Sequence, residues 1–123
     1  MKPASKWSDT FRYAAEGIVT ALKSERNMKI HLLAAVAVLL AAAYFHLPGR
    51  DVALLLIVIG LVIAAELVNT ALEAVVDLVS PDWHPLAKTA KDTAAGAVLV
   101  AAIIAVCVGC LLFYEPVMAY FQQ

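Results

Sequence analysis

A chain of 123 residues that is 63% hydrophobic and only 15% charged is more apolar than ordinary soluble domains and reads as one integral-membrane domain. Its formal net charge of -1, with no basic cluster interleaved with aromatics, argues against a nucleic-acid partner. Cys107 and Cys110 lie inside the last apolar run without a second ligand pair or a βαβ context, so they read as packing or lipid-facing cysteines, not as a zinc or redox motif.

The first 29 residues are too charged for a signal peptide, so the N-terminus is expected to stay attached. Over 5–29 the spacing predicts an amphipathic helix lying on the membrane surface. Trp7, Phe11, Ala14, Ala15, Ile18, Val19 and Leu22 fall within an arc of about 140°, opposite Asp9, Arg12, Glu16, Thr20 and Lys23. Tyr13 projects from the polar flank and reads either as an interfacial tyrosine or as an aromatic contact for a nucleotide base. If that helix runs unbroken, Glu25 returns to the angle of Trp7 and turns a carboxylate toward the bundle; a solvated turn residue is the other reading.

A first transmembrane span is expected over 30–47, short at 18 residues and bracketed by His31 and His46, which read as interfacial. Pro48 and Gly49 supply a tight reversal. The second span, 52–79, is longer than a bilayer needs, and its final third carries Glu66, Asn69, Glu73 and Asp77. Pro81 and Pro85 end it and start the third span, 86–114, so those two helices must be antiparallel neighbours. The third span opens with Lys88, Lys91 and Asp92, and the small residues of 94–97 allow close helix approach. Eight of the nine Lys and Arg residues precede the first span or follow the second, which sets the N-terminus and the 80–85 loop in the cytoplasm and the C-terminal end outside. No internal repeat or second domain is visible.

Steps of three, four and four residues from Glu66 to Asp77 put the four polar side chains at about 0°, 300°, 340° and 20°, one stripe about 80° wide on an otherwise apolar helix. Intramembrane acids are costly and point to function; the alternative is a carboxylate bonded to a neighbouring helix for packing. Measured from Val52 along the helix, Glu66 lies about 21 Å inward, Glu73 about 32 Å and Asp77 about 38 Å, against a hydrocarbon slab of roughly 30 Å. Glu66 is thus inside the slab near its cytoplasmic edge, and Glu73 and Asp77 are at or beyond it. Such a column suits chemistry between a membrane-dissolved and a water-dissolved substrate. Carboxylates at that rim can bind Mg²⁺ through oxygen, nearby lysines can neutralise phosphate, and a carboxylate stripped of water takes up a hydroxyl proton readily. No Walker motif and no protein-kinase signature set is present.

The stretch E-L-V-N-T-A-L-E-A-V-V-D over 66–77 resembles the signature of the prokaryotic diacylglycerol kinase family, small integral-membrane lipid kinases unrelated to soluble kinases. The resemblance covers about 100 residues and includes E-R-N-M-K-I-H over 25–31 and H-P-L-A-K-T-A-K-D-T-A-A-G-A-V over 84–98. Those two flanking motifs are more similar to the undecaprenol kinase branch, common in Gram-positive bacteria, than to the diacylglycerol kinase branch. The resemblance implies a homotrimeric all-α bundle in the bacterial cytoplasmic membrane, with three transmembrane helices and one surface helix per subunit, composite sites between subunits, and MgATP as phosphate source.

Carried over by motif position, Glu66 resembles the general base for the lipid hydroxyl, with Asn69 orienting base and substrate. Glu25 and Glu73 resemble the Mg²⁺ ligands. Asp77, Lys91 and Asp92 would position the ATP phosphates, and Tyr13 and His84 would contact the nucleotide. Lys6 occupies a position held by arginine in related proteins, and Asp82-Trp83 departs from the family pattern, which leaves the adenine contacts of that loop open. The expected activity is phosphorylation of undecaprenol to undecaprenyl phosphate, with diacylglycerol as the alternative acceptor. From other classes stand a small proton-coupled transporter subunit, with Glu66 carrying protons, and a purely structural membrane subunit.

Overall fold

The computed structural model describes residues 6–123, which form four helices: α1 (Trp7–Ser24), α2 (Arg26–Tyr44), α3 (Gly49–Val79) and α4 (Pro85–Phe121). Residue 5, where the first helix was expected to begin, lies outside the described residues. The helices α2, α3 and α4 are each long and apolar enough to cross a membrane. At 1.5 Å per residue, the 31 residues of α3 and 37 of α4 extend about 46 and 55 Å, so both outrun a slab of roughly 30 Å.

The expected unbroken helix to Glu25 is not what forms. Glu25 takes an extended conformation (φ -100°, ψ 119°) and is at once the C-cap of α1 and the N-cap of α2. Its N–H still donates to Ala21 O at 2.9 Å, so a single residue separates the two helices. The extrapolated helical angle of Glu25 therefore does not apply.

Helix α2 stops in a Schellman motif. Leu47 N–H donates to Ala42 O at 3.0 Å and His46 N–H to Ala43 O at 3.2 Å, with His46 in the left-handed region at φ 54°. A non-glycine there costs about 1–2 kcal/mol, offset by the satisfied carbonyls and by Leu47 packing back on Ala42. Pro48 then caps α3, and His84 caps α4 through Nδ1, which accepts the Leu86 N–H at 3.2 Å; Pro85 follows at the first helical position.

The central helix is α3, packed chiefly on α4 and then on α2, while α1 touches α2 and α3. Around the Pro48 turn, Ala42, Leu47 and Leu55 form a buried cluster, flanked by Val38, Phe45, Val52, Leu112 and Phe113. Edge-on aromatic contacts of Phe45 with Tyr44, Phe113 and Tyr120, and a 3.2 Å hydrogen bond between the Tyr44 and Tyr120 hydroxyls, carry α4 past the expected end at residue 114. Pro116 sits within this extension without ending it.

Leu55 is 1% exposed in that cluster. In a lipid-solvated unfolded state most of the transfer contribution disappears and the cavity remains, so Leu55→Ala is expected to lower stability by about 2 kcal/mol. The midpoint of denaturant unfolding in micelles measures it, and an unchanged midpoint contradicts the packing described. Elsewhere the helices are less covered: few residues in the most apolar stretch of α4 are fully buried, and Leu99, Val100, Ile103, Val106 and Leu111 are exposed apolar side chains.

Candidate functional site

The polar stripe of α3 grades from buried to exposed. Glu66 is 1% exposed and Asn69 8%, Glu73 is half-buried, and the Asp77 side chain is 65% exposed. Helical spacing aligns them, and the uneven packing of α2 and α4 against α3 sets their different access to water. Asn69 Nδ2 donates to Glu73 Oε1 at 3.4 Å, and Thr70 folds its hydroxyl back to Glu66 O at 2.9 Å.

Glu66 is met from α2 by His31, whose Nε2 lies 3.1 Å from Oε1. At 3.1 Å the ring nitrogen is within hydrogen-bonding reach of Oε1 without a fully formed bond, and Asn69 Oδ1 has no hydrogen-bond partner among the described residues. Leaving buried polar oxygens unpaired costs about 1–3 kcal/mol each, which a purely structural stripe has no reason to retain. Glu25 and Glu73 are the negative charges near enough to act on Glu66. Both unpaired oxygens belong to residues lining a polar cleft of about 320 Å³, whose other walls include Asn27, His31, Ala95 and Ala102.

At the exposed end of the stripe, Lys91 Nζ of α4 reaches Asp77 Oδ1 at 2.5 Å, and Lys88 pairs with Asp92. Exposed pairs of this kind add little to stability. With His84 and Trp83 they line a second polar cleft of about 350 Å³ at the α3–α4 turn.

The chain thus brings together Glu66, Asn69 and Glu73 with Glu25 nearby, and separately Asp77, His84, Lys91 and Asp92. Tyr13 joins neither group: it is 43% exposed on α1, with the Arg12 guanidinium 5.2 Å from its ring centre. His84 already uses Nδ1 as a helix cap. Two residues were missed from sequence, His31, given only an interfacial place, and Lys88, given no role. A signal existed for the first. Seventeen residues separate His31 from Pro48 and seventeen separate Gly49 from Glu66, so a helical hairpin folded at the Pro48–Gly49 bond brings them level. Asp77 and Lys91 are likewise each seven residues from His84.

The oxygen donors suit a hard cation such as Mg²⁺, which takes one or two carboxylates and completes its shell with phosphate and water. Glu25 and Glu73 are the carboxylates whose charges bear on Glu66, and Asn69 ties Glu73 to the same face of α3. Among the described residues no group of three or more His, Cys, Asp or Glu is gathered tightly enough to hold an ion alone.

Comparison with known proteins gives the family. The family model for prokaryotic diacylglycerol kinase matches residues 12–113. A diacylglycerol kinase of Synechocystis sp. is 50% identical over 111 residues, which cover 89% of this chain; the chain spans 63% of that relative's length. The undecaprenol kinase of Bacillus subtilis is 40% identical over 109 residues, 89% of each chain, and the diacylglycerol kinase of Escherichia coli K12 is 31% identical over 103 residues, 84% of each. The match contains the whole stripe from Glu66 to Asp77 and the Lys91–Asp77 pair, and the chain belongs to the prokaryotic diacylglycerol kinase family, whose relatives named here are lipid kinases.

Proposed function

We propose that the chain transfers the γ-phosphate of ATP to a membrane lipid alcohol, with undecaprenol as acceptor and undecaprenyl phosphate as product. The observation that carries this is the graded column on α3, from Glu66 at 1% exposure to a water-facing Asp77 paired with Lys91. Only a reaction joining a membrane-dissolved to a water-dissolved reactant needs both ends of such a column.

In this mechanism Glu66 accepts the proton of the lipid hydroxyl as its oxygen attacks the γ-phosphorus in line, the bond to the β–γ bridging oxygen breaks, and ADP leaves without a phosphoenzyme. Asn69 holds the hydroxyl and the carboxylate in register. Lys91, set by Asp77 and Asp92, neutralises phosphate oxygens, and Tyr13 and His84 contact the nucleotide. Glu25 and Glu73 would hold Mg²⁺, which when bound would supply charge neutralisation on the triphosphate. The active unit is a homotrimer in the bacterial cytoplasmic membrane, with the N-terminus in the cytoplasm and α1 as an amphipathic helix on the surface. Two observations support assembly: α4 leaves most of its apolar face uncovered, and Tyr13 stands apart from both clefts of its own chain.

Diacylglycerol is the second candidate acceptor, favoured by the 50% identical relative of that name. Undecaprenol is favoured by the 25–31 and 84–98 motifs and by a relative matched over 89% of both chains. Purified protein with MgATP is expected to phosphorylate undecaprenol at least about tenfold faster than diacylglycerol at matched surface fractions, a discrimination of 1.4 kcal/mol. The reverse preference makes diacylglycerol the substrate. A proton-coupled transporter needs polar groups reaching the far side, where the chain instead has the aromatic and aliphatic cluster of Phe45, Leu55, Phe113 and Tyr120.

A further inference from the structure

We propose that His31 is a positioning residue for Glu66, holding the carboxylate so that its free lone pairs face the lipid hydroxyl. The inference rests on Glu66 acting as the base. The side chain that reaches the Glu66 carboxylate from another helix is His31, with Nε2 3.1 Å from Oε1. Helix α4 offers only apolar walls to the same cleft, Ala95, Val98, Leu99 and Ala102, and the Asn69 amide nitrogen donates to Glu73.

Position in the bundle separates this role from simple charge compensation. His31 and Ala102 line both the polar cleft and an apolar groove of about 240 Å³ that continues between α2, α3 and α4 past Leu55 and Val58. The imidazole therefore stands at the join between hydrocarbon and polar surroundings, where an alcohol group first meets a carboxylate. Glu66 has several staggered rotamers, and a misplacement of about 1 Å at the reacting atoms costs on the order of 100-fold in rate. His31 is 24% exposed at its side chain and anchored on α2 beside the fully buried Met28, which fixes the ring more firmly than a loop residue.

The test is steady-state kinetics of the full chain in detergent micelles, using whichever of undecaprenol or diacylglycerol the unaltered protein phosphorylates faster. His31→Leu removes the donor, His31→Gln restores an amide nitrogen near the level of Nε2, and His31→Asn puts one near Nδ1. The expected result is a loss in kcat of roughly tenfold or more for the leucine and asparagine variants, KM for MgATP within about twofold, and most of the rate recovered by glutamine. Thermal unfolding midpoints of the two amide variants should agree, which a structural role differing between them would not give. Should the leucine variant not fold, the contrast between glutamine and asparagine still decides. Equal rates for these two, or a change confined to KM for MgATP, overturns the assignment of His31. Full activity of Glu66→Gln instead overturns the base on which it acts, so the two failures are told apart.

Discussion

Glu66→Gln is expected to lose about 10²–10⁴ of turnover while binding MgATP as before. The substitution keeps shape and hydrogen-bonding reach but removes the basic oxygen. A carboxylate at 1% exposure among the apolar walls of α2, α3 and α4 is expensive, about 3 kcal/mol for a charged acid at depth, and here it is met from another helix by His31, with Nε2 3.1 Å from Oε1. Removing that charge should leave the fold as stable or more so, with activity lost. Turnover and equilibrium nucleotide binding are measured on the same preparation. Full turnover removes Glu66 from the role of base, and parallel loss of ATP binding would shift it to the nucleotide side of the site.

Lys91→Met should produce the second largest effect, a loss of roughly 10²-fold in kcat/KM for ATP with KM for the lipid unchanged. Lys91 is about a third exposed and paired with Asp77 at 2.5 Å across the α3–α4 hairpin, in a cleft that also holds Lys88 and Asp92. The pair contributes little to stability, so methionine should leave the unfolding midpoint nearly unchanged. Kinetics with each substrate varied in turn check the split. A rise in KM for the lipid instead would relocate the nucleotide away from this turn.

The three apolar spans and the polar stripe were legible in the sequence because both follow from period and length alone: side chains three and four apart share a helical face wherever the helix goes. The α3–α4 register was nearly legible too, since Pro81 and Pro85 leave a short turn that brings Asp77 level with Lys91. Other features were not. Glu25 looked like the continuation of a regular helix, yet one extended residue ends α1 and begins α2, and nothing in Ser24-Glu25-Arg26 marks the break as a proline or glycine would. His31 looked interfacial because a lone histidine near a span end usually is. Its contact with Glu66 depends on where the α2–α3 hairpin folds, which the equal spacing about Pro48–Gly49 hints at and the Schellman stop at His46 fixes. The length of α4 was missed for a related reason: the third span was placed at 86–114, but Tyr120 packs on Phe45 and the helix runs to Phe121.

A stripe of acids on an apolar helix has one clear use when its two ends lie in different solvents, and one measurement bears on that most directly. Purified protein in micelles containing undecaprenol is given ATP labelled in the γ-phosphate, and label is counted in the organic phase after extraction. Lipid-phase label that requires Mg²⁺ and disappears in Glu66→Gln is the expected result. Label that stays wholly in water with folded protein and either lipid alcohol present would contradict transfer across the column from Asp77 to Glu66.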